Sequence, residues 1–159
     1  MISFPKAKIN LGLRITGKRA DGFHDIETIF YPVGLSDALE FVVHPNLKNE
    51  DELTVTGFNP GIRFERNLVI RAVRKLREIF PLPFLKIHLH KVIPTGAGLG
   101  GGSADAACML RSVNRRFNLS LSDSELRSYA LELGSDCPFF IDPSPSFAIG
   151  RGEILSPVK

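Results

Sequence analysis

The chain has 159 residues, 43% of them apolar and 23% charged, which indicates one soluble globular domain and excludes wholesale disorder. Its formal net charge of +3 is scattered, which excludes a basic nucleic-acid-binding arm and suits anionic ligands. No run reaches the roughly 20 apolar residues of a membrane span, and the N-terminus has no signal-peptide pattern, so we expect a cytoplasmic protein. Cys108 and Cys137 lack zinc or disulfide spacing and are predicted to be free thiols.

The first predicted element is a half-buried strand over residues 7–15, where apolar and polar residues alternate. Lys8 and Asn10 would therefore project together from its polar face. The apolar face would hold Ile9, Leu11, Leu13 and Ile15, and the polar face would hold Lys8, Asn10, Gly12 and Arg14.

Three helices are predicted from apolar spacing and capping signals. The first covers residues 68–80 after the N-cap Asn67, the second covers residues 103–117, and the third covers residues 123–133 behind a capping box at 122–125. The pattern predicts an α+β fold with a mostly antiparallel sheet and helices grouped on one side. Further strands are predicted at residues 25–31, 39–44, 53–55, 85–89, 139–141 and 147–149.

The most informative segment runs from Pro94 to Ala107, where five glycines fall within seven residues between a predicted strand and a predicted helix. Glycine lets the backbone approach a ligand closely, and the helix N-terminus offers free N–H groups and a partial positive charge. Together they predict an anion site, most naturally for phosphate. A glycine turn without a ligand is the other interpretation.

Two common phosphate motifs match this segment only by letter. Residues 96–101 have the Gly-x-Gly-x-x-Gly spacing of a dinucleotide fingerprint, but the acids at the right distance lie at a predicted helix start, not at a strand end. Residues 96–103 also resemble a P-loop, except that Gly102 takes the place of the required lysine. Neither motif therefore explains the segment.

Residues 94–107 contain Pro-x-x-x-Gly-Leu-Gly followed by Gly, Ser and Ala, which resembles the central motif of the GHMP kinases. Three other segments stand out: residues 5–11 (PKAKINL), 19–24 (RADGFH) and 133–140 (LGSDCPFF). Taken together in chain order, these four segments resemble one family within that group, the 4-diphosphocytidyl-2-C-methyl-D-erythritol kinases of the non-mevalonate isoprenoid pathway. With residues 150–157, the resemblance spans nearly the whole chain.

The resemblance implies that residues 1–159 form a GHMP-kinase N-terminal domain with a ribosomal-protein-like two-layer fold. Family members carry a second, C-terminal domain, so we expect that this chain is a fragment without it, weak in nucleotide binding and in turnover. The implied reaction is phosphorylation of the 2-hydroxyl of 4-diphosphocytidyl-2-C-methyl-D-erythritol, with ATP and Mg²⁺ as cofactors. The implied partners are that small-molecule substrate and the missing domain, with no membrane or nucleic acid.

By the same resemblance, Asp136 would be the base for the substrate hydroxyl and Lys8 its cationic partner. Without the family, a helix-end aspartate and a solvated strand lysine remain open interpretations. Ser103 corresponds to a loop serine that contacts phosphate or magnesium, or is a plain N-cap. Asp105 is interpreted as a structural acid in the first helical turn. The implied nucleotide-binding residues are Pro94, Thr95, Gly96, Ala97, Gly98, Leu99, Gly100, Gly101, Gly102, Ser103 and Ala104.

Asn10, Phe23 and His24 would form the cytidine pocket by resemblance, because a ring can stack on a base and an imidazole can bond to its edge. Phe23 stands where many relatives carry tyrosine, which keeps the stacking and removes a hydroxyl. No metal-ligating residue is assigned. No role is assigned to the other histidines, His44, His88 and His90.

Two alternatives remain. Another GHMP kinase, acting on homoserine, mevalonate or a sugar, would lack the Asp-Gly-Phe-His segment at residues 21–24. A non-catalytic RNA-binding module would share the fold of a ribosomal-protein domain, but such a module needs clustered basic and aromatic residues. Here only Arg111, Arg115 and Arg116 form a short basic patch.

Overall fold

The computed structural model describes residues 1–45, 49–58 and 61–158, and these form two four-stranded sheets with three α-helices. The helices are α1 Leu68–Arg77, α2 Gly101–Phe117 and α3 Asp123–Leu133, with short 3-10 helices at Phe64–Arg66 and Cys137–Ile141. The strands are β1 Ile2–Ser3, β2 Lys6–Lys18, β3 His24–Ser36, β4 Ala38–Val43, β5 Glu52–Gly57, β6 Leu85–Lys91, β7 Ser146–Ile149 and β8 Ile154–Pro157.

Sheet A has the strand order β1-β4-β6-β5, and sheet B has the order β2-β3-β7-β8. Among the described strand pairs, only β5 and β6 run parallel. The predicted α+β class with mostly antiparallel strands is therefore confirmed, although the strands divide between two sheets.

The hydrophobic core lies between one face of sheet A and the helices. In β6, Leu85, Ile87 and Leu89 are buried, and they alternate with residues on the opposite face. In α1, Val69 and Val73 recur at helical spacing and join the same core cluster. Burying one such side chain contributes about 1.5–3 kcal/mol, so this layer anchors the strands and helices that carry the site.

The predicted helix ends hold for α3 and shift for the other two helices. The capping box of α3 is present at Ser122 and Glu125. The Asn67 side chain accepts the Val69 N–H, as an N-cap does, but α1 ends at Arg77 rather than residue 80. Pro81 lacks the N–H that would bond to the Arg77 carbonyl, and its ring clashes with that carbonyl, which explains the earlier end.

The prediction that β2 has one continuous apolar face is wrong. Leu11 pairs with Ile29 and Leu13 pairs with Thr28, so Gly12 is an extra residue, a β-bulge with φ 70°. Beyond the bulge, Leu13 and the next alternate residue move to the face that carries Lys8 and Asn10. The distal part of β2 is consequently exposed on that face instead of half-buried.

The short strand predicted at residues 139–141 is also wrong, because the structure has a 3-10 helix there. Pro138 occupies the first turn of this helix, where a fixed φ and a missing N–H carry no cost. Phe139, Phe140 and Ile141 are all buried, so the segment has no polar face that would have distinguished a helix from a strand.

Candidate functional site

The glycine-rich loop leads directly into α2, which begins at Gly101, two residues earlier than predicted. Gly96, Gly98 and Gly100 all have positive φ, at 78°, 73° and 72°. A Cβ on Gly100 would lie 2.6 Å from Cζ of Phe140, so a side chain cannot fit there. A Cβ on Gly96 or Gly98 would meet nothing within 4 Å, so these glycines face open space beside the helix N-terminus.

The backbone of β2 holds the loop in place. The Lys8 N–H donates to the Leu99 carbonyl at 2.9 Å, and the Ala104 N–H donates to the Gly100 carbonyl at 2.8 Å. A Cβ on Gly100 would also lie 3.4 Å from Cγ of Lys8. The start of the Lys8 side chain is therefore packed against the last turn of the loop.

The Lys8 ammonium lies among three partners. Its Nζ donates to Oδ1 of Asn10 at 2.6 Å, lies 3.5 Å from Oδ2 of Asp136, and sits 4.5 Å from the centroid of the Phe30 ring. The Lys8 side chain is 5% exposed, whereas that of Asp136 is 32% exposed. A buried cation therefore contacts a carboxylate that is still accessible to solvent.

Neighbouring glycine makes room for the Asp136 carboxylate. Asp136 precedes the 3-10 helix that begins at Cys137, and its side chain caps no backbone N–H there. A Cβ on Gly152 would lie 3.1 Å from Oδ1 of Asp136, so only glycine leaves this contact relaxed. Gly152 has φ 107°, a conformation that L side chains rarely adopt. The carboxylate is therefore oriented by its surroundings and not by a helix cap.

Phe23 and His24 lie at the end of the β2–β3 hairpin, and both are exposed. The Arg151 guanidinium lies over the Phe23 ring, 4.9 Å from its centroid. Asn10 is on the inner face of the same sheet, where its Nδ2 donates to Oγ1 of Thr28 at 3.1 Å. The structure thus brings Lys8, Asn10 and Asp136 into direct contact, and it leaves Phe23 and His24 at the outer end of the site.

Residues 150–153 join these two ends, and the sequence reasoning assigned them no role. The loop leaves β7 next to the hairpin, where the Ile26 N–H donates to the Gly150 carbonyl at 2.7 Å. It places Arg151 on Phe23 and Gly152 beside Asp136. A Gly-Arg-Gly pattern was a visible signal, but the contacts depend on pairing between strands far apart in sequence.

A cavity of about 170 Å³ adjoins the glycine loop. Apolar side chains of Val55, Leu68 and Leu89 line it, together with Thr95 and Gly102. An apolar slot of this kind, next to the glycine loop, suits a flat aromatic base.

The polar end of this cavity is a buried charge cluster. Lys91 donates to Asp37 and, at 2.7 Å, to Oδ2 of Asp105, while Oδ1 of Asp105 is buried without a hydrogen-bond partner. Burial raises the pKa of Asp105 to about 7, although Lys91 opposes the shift. The sequence predicts an acid that complements the helix dipole, whereas in the structure the charged partner of Asp105 is Lys91.

The remaining candidates show no site of their own. Among the described residues, no group of three or more His, Cys, Asp or Glu side chains could hold a metal, and no helix is long and apolar enough to cross a membrane. His88 and His90 lie on the outer face of sheet A, and both rings form a hydrogen bond with the Thr56 hydroxyl. Both cysteines are free, and burial raises the pKa of both thiols, that of Cys137 to about 11.

Comparison with known proteins identifies the same loop and helices. Residues 67–142 match the family model of the GHMP kinases N terminal domain. A 4-diphosphocytidyl-2-C-methyl-D-erythritol kinase of Bacteroides fragilis is 53% identical over 158 residues, which is 99% of this chain and 58% of that protein. The chain therefore spans a little over half the length of this relative.

Solved structures agree with the sequence match. A crystal structure of 4-(cytidine 5'-diphospho)-2C-methyl-D-erythritol kinase superposes with a TM-score of 0.80 at 36% identity, over 99% of this chain and 55% of that one. A mevalonate kinase matches with a TM-score of 0.70 at 16% identity, over 100% of this chain and 56% of that one. The second match shows a shared fold alone.

Proposed function

The chain belongs to the GHMP kinases, and we propose that it is the ATP-binding part of a kinase that phosphorylates the 2-hydroxyl of 4-diphosphocytidyl-2-C-methyl-D-erythritol. The observation that carries this proposal is the buried Lys8 ammonium, which contacts Asp136 at one end of an open glycine loop. A phosphate loop, a cation and a reachable carboxylate are the parts that phosphoryl transfer to a hydroxyl needs.

ATP would lie along residues 94–104, with its phosphates on the N–H groups of the loop and of the first turn of α2. Its adenine would enter the cavity lined by Val55, Leu68 and Leu89. There Thr95, a polar residue in the cavity lining, offers a hydroxyl beside the glycine loop. The apolar walls and one polar edge support nucleotide binding on this side of the loop.

In the proposed reaction, Asp136 accepts the proton of the substrate hydroxyl while that oxygen bonds to the γ-phosphorus and the bond to the β-phosphate oxygen breaks. Lys8 stabilises the negative charge that develops on the attacking and transferred oxygens. Asn10 accepts from the Lys8 ammonium and so orients it. ADP and the phosphorylated alcohol are the products.

Magnesium belongs to the proposal as the ion that ATP carries on its phosphates. The described residues offer no cluster of ligands that would hold it beforehand. Ser103, half-buried in the first turn of α2, is the loop hydroxyl that could contact the phosphates or this ion. The ion would neutralise phosphate charge when bound.

Phe23, with His24 beside it, would hold the cytosine at the hairpin end, since an exposed ring gives a base a surface for stacking. Relatives are longer than this chain, and we propose that their additional segment completes this end of the site. By that proposal, the isolated residues 1–159 bind nucleotide weakly and show little turnover. Full turnover by the isolated chain would contradict it.

The test is phosphoryl transfer by the full-length protein. With ATP and Mg²⁺, we expect phosphoryl transfer to 4-diphosphocytidyl-2-C-methyl-D-erythritol and no comparable transfer to homoserine or mevalonate. The product is detected by ³¹P NMR. Equal or greater use of either alternative acceptor would overturn the substrate assignment. Failure to consume ATP with any of the three would overturn the assignment of a kinase.

A further inference from the structure

Arg151 is a charged residue of the site, and the proposed reaction gives it no role. Its guanidinium lies over the Phe23 ring at 4.9 Å, and its side chain is 27% exposed. Its Nε is buried without a hydrogen bond, since the nearest carboxylate oxygen, Oε1 of Glu153, is 3.8 Å away. Among the described residues, the polar contacts found for Arg151 are this ion pair and the bond from its backbone N–H to Glu153.

The backbone around Arg151 is built to hold it there. Gly150 and Gly152 flank it with φ 69° and 107°, and its own N–H donates to Oε2 of Glu153 at 2.6 Å. A guanidinium stacked on an aromatic ring uses its flat face for the ring and keeps its in-plane N–H groups free. Those donors are the groups that bind phosphate with two parallel hydrogen bonds.

The order of groups along the site matches the order along the proposed substrate. In the substrate, the diphosphate lies between the cytidine and the methylerythritol that carries the reacting hydroxyl. In the protein, Arg151 contacts Phe23, and the next residue along the chain, Gly152, lies beside the Asp136 carboxylate. A substrate with its base on Phe23 and its hydroxyl at Asp136 would pass its diphosphate by Arg151.

We infer that Arg151 is a substrate-binding residue, which stacks on Phe23 and donates its free N–H groups to the diphosphate of the cytidine substrate. This inference rests on the proposed function. It assigns specificity for a nucleoside diphosphate ester to this one side chain, with Phe23 as the surface that orients it.

The test compares three ligands that differ only in phosphate. Binding of cytidine, CMP and CDP to the full-length protein is measured by calorimetry for the wild type, Arg151→Ala and Arg151→Lys. Loss of charge-assisted hydrogen bonds should weaken CDP binding by about 10- to 100-fold in Arg151→Ala, with a change below about threefold for cytidine. Arg151→Lys keeps the charge but lacks the planar guanidinium, so its affinity for CDP should fall between those of the wild type and Arg151→Ala.

Arg14→Ala is the matched control, because Arg14 lies on the outer face of the same sheet, where its side chain is 79% exposed and pairs with Glu27 at 3.9 Å. It should leave all three affinities unchanged. Equal weakening of cytidine and CDP by Arg151→Ala would overturn the inference, since Arg151 would then only brace Phe23. Unchanged CDP binding in both Arg151 variants would also overturn it.

Turnover separates this inference from the proposed function. If the wild type phosphorylates the cytidine substrate and Arg151→Ala raises its KM with the KM for ATP unchanged, the inference is supported. If the wild type is active and Arg151→Ala has the same KM, only the inference fails. If the wild type does not use the substrate, the proposed function fails and the inference fails with it.

Discussion

The glycine loop at residues 94–104, with the neighbouring Lys8 and Asp136, is the phosphate end of the site in the proposed function. There Gly100 is packed so closely against Phe140 that a methyl group would overlap its ring. At the hairpin end, Phe23 leaves 51% of its surface exposed, and its ring contacts the Arg151 guanidinium. The first geometry is held by two buried neighbours, Lys8 and Phe140, from distant parts of the chain. The second leaves its aromatic ring largely open to solvent, so mutations should act differently at the two ends.

The largest effect is expected from Asp136→Asn, which keeps the shape of the phosphate end and removes the proton acceptor. We expect kcat to fall by about 10²- to 10⁴-fold, the usual contribution of a positioned base, with the KM for ATP little changed. Asp142→Asn, an exposed change just after the same 3-10 helix, is the control. A loss below about tenfold would rule out Asp136 as the base.

Gly100→Ala tests the packing of the phosphate end directly. A Cβ placed 2.6 Å from Phe140, on a residue with φ 72°, should lower the free energy of unfolding by about 2–5 kcal/mol, measured in urea. Gly98→Ala is the control, since its φ is 73° but its Cβ meets nothing within 4 Å. It should lose only about 1–2 kcal/mol from backbone strain. Equal losses would mean that packing is not the constraint.

Asp105→Asn tests the buried cluster of Lys91, Asp37 and Asp105 through the pH dependence of stability. Because burial raises the Asp105 pKa to about 7, the folded protein holds a proton there from about pH 4 to about pH 7 while the unfolded chain does not. The free energy of unfolding of the wild type should therefore fall as pH rises through that window, on the order of 4 kcal/mol, and level off above it.

The comparison that decides this point is the difference between wild type and variant across pH 4 to 8. Asp105→Asn should lack this part of the decline, and Asp123→Asn, an exposed change at the start of α3, should keep it. Parallel curves for wild type and Asp105→Asn would show that Asp105 titrates near its ordinary pKa.

The smallest effect is expected at the exposed hairpin end. Phe23→Ala should raise the KM for the cytidine substrate by about 5- to 30-fold, as expected for one base stacked on one ring, with kcat and stability nearly unchanged. Phe23→Tyr keeps the ring and should stay within about twofold of the wild type. If Phe23→Ala lowered stability as much as Gly100→Ala, the contrast between the two ends would be wrong.

Sequence rules worked where the interactions are local. The capping box at Ser122 and Glu125, the N-cap Asn67 and the glycine loop before α2 follow from residues within a few positions of one another. They failed at β2, because a bulge at Gly12 exchanges the faces of a strand without changing its alternating pattern. They also failed at residues 139–141, because all three residues are buried and no alternation of polar and apolar residues distinguishes a helix from a strand there.

The sequence by itself determined the α+β class, the glycine loop before α2 and the shared face of Lys8 and Asn10, since each depends on short-range periodicity or backbone freedom. Periodicity and spacing did not pair Lys8 with Asp136, a contact that only the family resemblance implied. Only the tertiary structure decided that Lys91 is buried with Asp105 and that Arg151 contacts the Phe23 ring. Two of these pairs join residues more than a hundred positions apart. Such contacts arise from how strands pair and layers pack, and no local pattern encodes which distant side chain will arrive.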